Sequence, residues 1–297
     1  MKKLAVFVFA MIMLLSATGC AAAEPSHHVM ASFYPMYIFA MNVFDGIDAI
    51  KLDCMTAPET GCLHDYQLLV GDMMKLSDAD ALIVCGAGME AYLPDVSEQF
   101  PSLTVIDCSR GIDLIPEAHS DESDEEEEYN AHTWLDPKNA IIIVQTMADE
   151  ASALFPEYAE RINSNAAAYI ERLWLLDAEI AEALKPYAGR KIVPFHEAFP
   201  YFARAYQLEI AAVISEEHEN TLSPAQLSQV IEAVNNAGIP PLFIEPQYSS
   251  AAAYAVAAET GAKIYTLDPL VSGDETLDAY ENGMRRNVET LLEAFAE

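Results

Sequence analysis

Three histidines and one aspartate, His64, His132, His196 and Asp268, share a position that could do chemistry: each lies just beyond the carboxyl end of an expected β-strand. Ligands of open α/β sheets bind at that edge. Three neutral imidazoles and one carboxylate make a tetrahedral shell suited to zinc, a borderline-soft ion that takes nitrogen where calcium and magnesium take oxygen. Each imidazole binds metal only without its second proton, so affinity should fall as pH drops through the histidine range. Asp65, Asp136, Glu197 and Glu245 are the neighbouring acids placed to hold ring N–H groups. The chain has seven histidines. The others do not fit the rule: His27 and His28 fall at the start of the first strand, His119 in an acidic run and His218 in a helix-entry segment, and these read as structural or solvent-facing.

The elements that must position the four are legible as short apolar, β-branched runs alternating with helical patterns, the mark of parallel sheets covered by helices. Strands are expected at 28–33, 47–53, 80–85 and 103–107, and again at 190–195, 208–214, 241–245 and 263–267. The fold class is therefore α/β, with two lobes of about four parallel strands each. His64 and His132 belong to the first lobe and His196 and Asp268 to the second, so all four can converge only in a cleft between them. Between the lobes, apolar residues at 158, 162, 166, 170, 173, 180 and 184 keep the i, i+3/i+4 spacing of one long amphipathic helix over 157–186. Pro156 and Pro186 punctuate its ends. Such a helix would brace the lobes and limit hinge motion.

Residues 1–20, "MKKLAVFVFAMIMLLSATGC", set two lysines before an apolar run and small residues before a cysteine. This is the layout of a secretory signal, and its ending is similar to that of bacterial lipoprotein signals, in which the cysteine is lipidated. The expected division is thus a signal over 1–19, a first lobe over 20–156 anchored at Cys20 and containing an acidic loop at 117–129, the helix over 157–186, and a second lobe over 187–297. The chain carries 47 acidic and 15 basic residues, a net charge of −32, and loss of Lys2 and Lys3 with the signal takes it to −34. Such a field disfavours nucleic acid and anionic membrane surfaces and draws cations. The segment "EAHSDESDEEEE" at 117–128 repels itself and reads as a solvated loop or a weak cation collector. Four cysteines remain after Cys20, an even number in an oxidising compartment, and suggest the pairs Cys54–Cys62 and Cys85–Cys108.

The blocks "GCLHDYQLLVGDMMKLSDADALIVCGAGMEAYL", "NAHTWLDPKNA", "PFHEAFPYFARAYQLEI", "IEPQYSS" and "TLDPL" resemble, in order and spacing, the metal-binding lipoproteins of ABC importers, the zinc and manganese receptors of the cluster A-I type. The resemblance covers nearly the whole chain beyond the signal. It implies two lobes joined by a rigid helix, one ion held between them by His64, His132, His196 and Asp268, and delivery to a membrane permease by a lipid-anchored, extracytoplasmic monomer. Family members that favour manganese usually carry glutamate where this chain has His196, so the resemblance points to zinc as the ligand and to manganese as the alternative. The family's proline before the second histidine is Ala131 here, and the acidic loop is not histidine-rich.

Enzymatic readings compete weakly. "CGAGMEA" at 85–91 follows a strand and matches G-x-G-x-x-G/A, with Asp107 at the next strand's end, yet it follows the third strand. Gly86 and Gly88 are expected to shape a tight turn and a close helix–sheet contact. A zinc hydrolase needs an open coordination position. Here His196-Glu197 does not extend to H-E-x-x-H, because Pro200 stands at the last position, and Asp268 is available to close the shell. A surface adhesin with a purely structural metal is the remaining rival.

Overall fold

The computed structural model describes residues 25–57, 63, 66–117, 129–214, 222–247 and 251–296. The expected signal, Cys20, Cys62, His64, Asp65, His119, His218 and residues 118–128 of the acidic run lie outside them. Eight strands form two parallel sheets. β1 (His27–Ala31), β2 (Ile50–Cys54), β3 (Ala81–Val84) and β4 (Thr104–Asp107) build the first, and β5 (Lys191–Pro194), β6 (Glu209–Ile210), β7 (Leu242–Ile244) and β8 (Ile264–Thr266) the second. The spatial orders, β2-β1-β3-β4 and β6-β5-β7-β8, are the same topology used twice. Of the central strands, β3 and β7 are wholly apolar because helices cover both faces, so no alternation is left to see; β3 is Ala-Leu-Ile-Val, all buried.

The flanking helices in the first half are α1 (Tyr34–Val43), α2 (Val70–Ser77), α3 (Leu93–Gln99) and α4 (Pro137–Leu154). α5 (Ala159–Leu184) is the expected connector, 26 residues long, or roughly 39 Å at 1.5 Å per residue. Its buried stripe runs Ile162, Ala166, Tyr169, Leu173, Leu176, Ile180 and Leu184, with Asp177 accepting the Tyr206 hydroxyl at 3.1 Å. Pro156 opens a 3-10 turn that ends α4 and starts α5, so the two helices pack along one another. The second half adds α6 (Pro200–Tyr206), α7 (Pro224–Asn236), α8 (Ala251–Thr260) and α9 (Ala279–Ala296). No helix among the described residues is long and apolar enough to cross a membrane.

The halves are joined by more than α5. Arg172 on α5 donates to Glu281 of α9 at 2.8 Å, to Asn42 of α1 at 2.7 Å and to the Leu277 carbonyl at 2.6 Å. The larger core cluster accordingly runs through the first sheet, α5, α6 and α9, while a smaller one holds Val193, Phe195, Val234, Leu242 and Val256 under α7 and α8. This distribution binds most of the second half to the first as one packed unit.

The cysteine expectation is corrected. Cys54, Cys85 and Cys108 are free thiols, with no disulfide between Cys85 and Cys108. The Cys85 thiol is turned to the Ala131 carbonyl at 3.4 Å and to Thr133, whereas Cys108 is turned to the Ile106 carbonyl. Burial pushes both thiols well above their ordinary range, so neither is a ready thiolate.

Candidate metal centre

In each sheet the order reverses between the first strand and the third, and a crevice opens beyond their carboxyl ends. In the second half this crevice lies between β5 and β7. β5 ends at Pro194 and delivers His196, and β7 ends at Ile244 and delivers Glu245. The Glu245 carboxylate accepts the His196 backbone N–H at 3.4 Å, and the same oxygen takes a short hydrogen bond from the ring Nδ1. Both side chains are almost wholly buried. A carboxylate can only accept, so the ring proton sits on Nδ1 and Nε2 carries the lone pair.

His132 reaches the same place from the first half. It caps a 3-10 turn over Thr133–Leu135 and is held by Asn130. The Asn130 Oδ1 accepts the His132 backbone N–H at 3.1 Å and faces the ring Nδ1 at 3.3 Å. The amide's other end donates to the Glu197 carbonyl at 2.6 Å, and the Asn130 carbonyl accepts the Tyr201 hydroxyl at 2.7 Å. With its oxygen fixed toward His132, Asn130 leaves the ring proton on Nδ1 and again a lone pair on Nε2.

The two Nε2 atoms face one another at 3.1 Å, with ring centroids 5.0 Å apart. Facing imidazole nitrogens at that distance share either a proton or a metal ion. A tetrahedral zinc with Zn–N near 2.05 Å would hold two ligand nitrogens roughly 3.3 Å apart. The observed spacing therefore fits adjacent corners of a zinc shell.

Asp268 follows β8 by one residue and is clasped from α9: its N–H donates to Asn287 Oδ1 at 2.9 Å and its carbonyl accepts from Asn287 Nδ2 at 2.7 Å. Its Oδ1 accepts from Leu270 N–H at 2.9 Å and from Gln247 Nε2 at 3.2 Å. The structure thus brings His132 and His196 into contact and ties Asp268 to the loop after β7. Among the described residues, no group of three or more His, Cys, Asp or Glu side chains gathers as a metal-holding cluster, and His64 is outside them.

Of the acids expected to hold ring N–H groups, Glu245 does so. Asp136 instead caps α4, accepting from Lys138 N–H at 2.8 Å, because the first N–H groups of a helix have no carbonyl partner within it. Glu197 meets the site through its backbone carbonyl. Sequence reasoning missed Asn130, although an Asn two residues before a turn-forming His is a recognised local pattern. His27 and His28 are structural, as expected: His28 Nε2 pairs with Asp53 at 2.8 Å, and His27 lies against Phe155 and Glu157.

The matching crevice of the first half, between β1 and β3, is filled by protein. The Glu90 carboxylate accepts from Ser32 Oγ at 2.7 Å, Cys85 N–H at 2.9 Å and Gly86 N–H at 3.0 Å. Gly86, with φ +79, approaches so closely that a Cβ there would lie 2.0 Å from Asp107 Oδ1. Gly88, with φ +88, meets nothing within 4 Å and serves the turn alone. The glycine pattern therefore builds a carboxylate cradle. Burial, partly offset by these donors, pushes the Glu90 carboxyl up to about 7. A carboxyl raised on folding contributes stability below its unfolded pKa and loses that contribution as pH rises through the folded value. The loss from Glu90 between about pH 4.5 and pH 7.5 is on the order of 3 kcal/mol. Glu90→Gln, which cannot ionise, should flatten urea-melt stability across that range; a variant profile parallel to wild type would overturn this.

Residues 29–294 match the family described as zinc-uptake complex component A, periplasmic. The zinc-binding protein AdcA of Streptococcus pyogenes serotype M3 is 30% identical over 296 residues, covering 91% of this chain and 56% of its own. The chain therefore spans little more than half the length of that curated relative. The manganese-binding lipoprotein MntA of Halalkalibacterium halodurans is 26% identical over the full length of both chains. Among solved structures, the zinc-bound ZnuA-like domain of Streptococcus pneumoniae AdcA superposes with a TM-score of 0.77 at 28% identity, covering 92% of this chain and 100% of that one.

Proposed function

Since the chain belongs to the family of the periplasmic zinc-uptake component A, we propose that it is an extracytoplasmic receptor that captures Zn2+ between its two halves and hands it to an ABC permease. The observation that carries this reading is the pair of imidazole Nε2 atoms from opposite halves, 3.1 Å apart, with each ring's Nδ1 already against an oxygen partner of its own. His64 and Asp268 complete the shell in this reading, which closes it against the water that a hydrolase would need. The chain acts as a monomer, with its lobes divided at 20–156, 157–186 and 187–297, and is anchored through lipid on Cys20. Its acidity suits a cation cargo.

Manganese is the second reading, favoured by the full-length match to a manganese-binding lipoprotein. The donor set weighs against it, because imidazole nitrogens suit zinc while carboxylates and water suit manganese. Metal analysis and competitive titration of the stripped protein separate the two. One zinc per chain, displacing manganese and weakened by His196→Glu, is the expected result. No stoichiometric metal, or indifference to that substitution, would remove the receptor reading.

A further inference from the structure

Resting on that ligand set, we propose that Gln247 is a positioning residue that presents Asp268 to the metal through one carboxylate oxygen, favouring a four-coordinate zinc shell over the larger oxygen-rich shell of manganese.

Asp268 Oδ1 is already engaged by protein donors. It accepts from Gln247 Nε2 at 3.2 Å and from Leu270 N–H at 2.9 Å. A carboxylate oxygen has two lone pairs, and two donors fill both. Oδ2 is then the oxygen that can face a cation, and bidentate binding would require breaking one of these bonds. The orientation of the Gln247 amide is fixed by chemistry, since an ionised carboxylate accepts and never donates. Its second amide proton points at Ser272 Oγ, 3.1 Å away, which holds the side chain from the far side of the Asp268 turn. Gln247 Oε1 is buried with no hydrogen-bond partner among the described residues. Leaving an acceptor unpaired costs free energy, so the amide is held for what its nitrogen does.

The second donor is also held at a cost. Leu270 has φ +59, in the left-handed region that a branched residue adopts only under constraint. The facing helix accommodates this turn: a Cβ on Gly283 of α9 would lie 2.4 Å from Leu270 Cδ2, so glycine there leaves room for that side chain. Glu245 and Gln247 stand two residues apart after β7, one orienting His196 and the other Asp268. A single short segment therefore sets both ligands of the second half. Zinc accepts four ligands readily, whereas manganese gains from additional oxygen, so restricting Asp268 to one oxygen discriminates between the ions.

The test uses the full chain, purified and stripped of metal, with Gln247→Met, which keeps length but donates nothing, together with Ser272→Ala and Asp268→Ala. Zinc and manganese affinities are titrated, and Co2+ is bound to read the coordination number from its d–d absorption. Gln247→Met should weaken zinc roughly tenfold, the low end for loss of a ligand-orienting partner, narrow the zinc-to-manganese ratio by a similar factor, and reduce the intense absorption of tetrahedral cobalt. Ser272→Ala should move the same readouts less. A wild-type cobalt spectrum and an unchanged ratio in Gln247→Met, with zinc still weakened by Asp268→Ala, would overturn the proposal. Unchanged zinc affinity in Asp268→Ala would instead remove Asp268 from the ligand set.

Discussion

Replacing His196 by alanine should lower zinc affinity by at least about a hundredfold. Losing a residue that merely orients a ligand typically costs 10–100-fold, and in the proposed shell His196 supplies a donor nitrogen itself. The substitution removes one of two nitrogens held 3.1 Å apart and strands the Glu245 carboxylate, whose side chain is 1% exposed. A buried acceptor left unpaired costs roughly 1–3 kcal/mol, so a modest loss of stability should accompany the loss of binding. His132→Ala separates the two effects, because its orienting partner Asn130 keeps its bonds to Glu197 and Tyr201. Competition against a chromophoric chelator reads both variants. Wild-type zinc affinity in either would mean that the facing imidazoles are a packing detail.

A second large effect is expected at Trp134. The side chain is fully buried, meets Phe33 edge-to-face at 5.3 Å and lies 5.2 Å from the His132 ring. Its indole N–H donates to the Pro269 carbonyl at 2.7 Å, and its own carbonyl accepts the Tyr280 hydroxyl at 2.7 Å. It therefore pins the His132 turn of the first half to the residue after Asp268 in the second. Trp134→Ala should cost about 3–5 kcal/mol, as large buried aromatics do, which lowers the melting temperature by on the order of 10 °C. Trp134→Phe keeps most of the volume and loses the hydrogen bond, so it should cost less than half as much. A shift below about 2 °C in Trp134→Ala would contradict the interlocking role.

The central strands and the connecting helix were legible because burial on both faces of β3 leaves an apolar run, and a 26-residue helix repeats its stripe many times. The ends were less so. β2 begins at Ile50 and not at residue 47, because residues 47–50 turn on hydrogen bonds from Ile47 to Phe44 and from Ile50 to Ile47. β6 shrinks to Glu209–Ile210, an edge strand paired on one side only. At the centre, the strand-end rule picked out His132 and His196, which the structure brings into contact beside Glu245, since topology decides which residues emerge at the carboxyl edge of a sheet. It could not find Asn130 or Gln247, whose roles depend on where a loop turns an amide. The cysteine count failed for a similar reason: an even number of thiols says nothing about which carbonyl each sulfur faces.

The separation of the two contacting histidines has a consequence for how the protein comes into being. His132 and His196 lie 64 residues apart in sequence, on either side of the α5 brace. Contacts across such a span form only after the loop-closure entropy of the intervening chain has been met. The helix pair must therefore dock, and the second sheet must begin to assemble, before the two rings can meet. In small zinc fingers the metal organises a chain that is unfolded without it. In the proposed receptor the order is reversed, because protein groups already hold His132 and His196 in place and the ion binds a chain that has folded. In that reading, bound metal is expected to slow unfolding and to leave the rate of folding untouched.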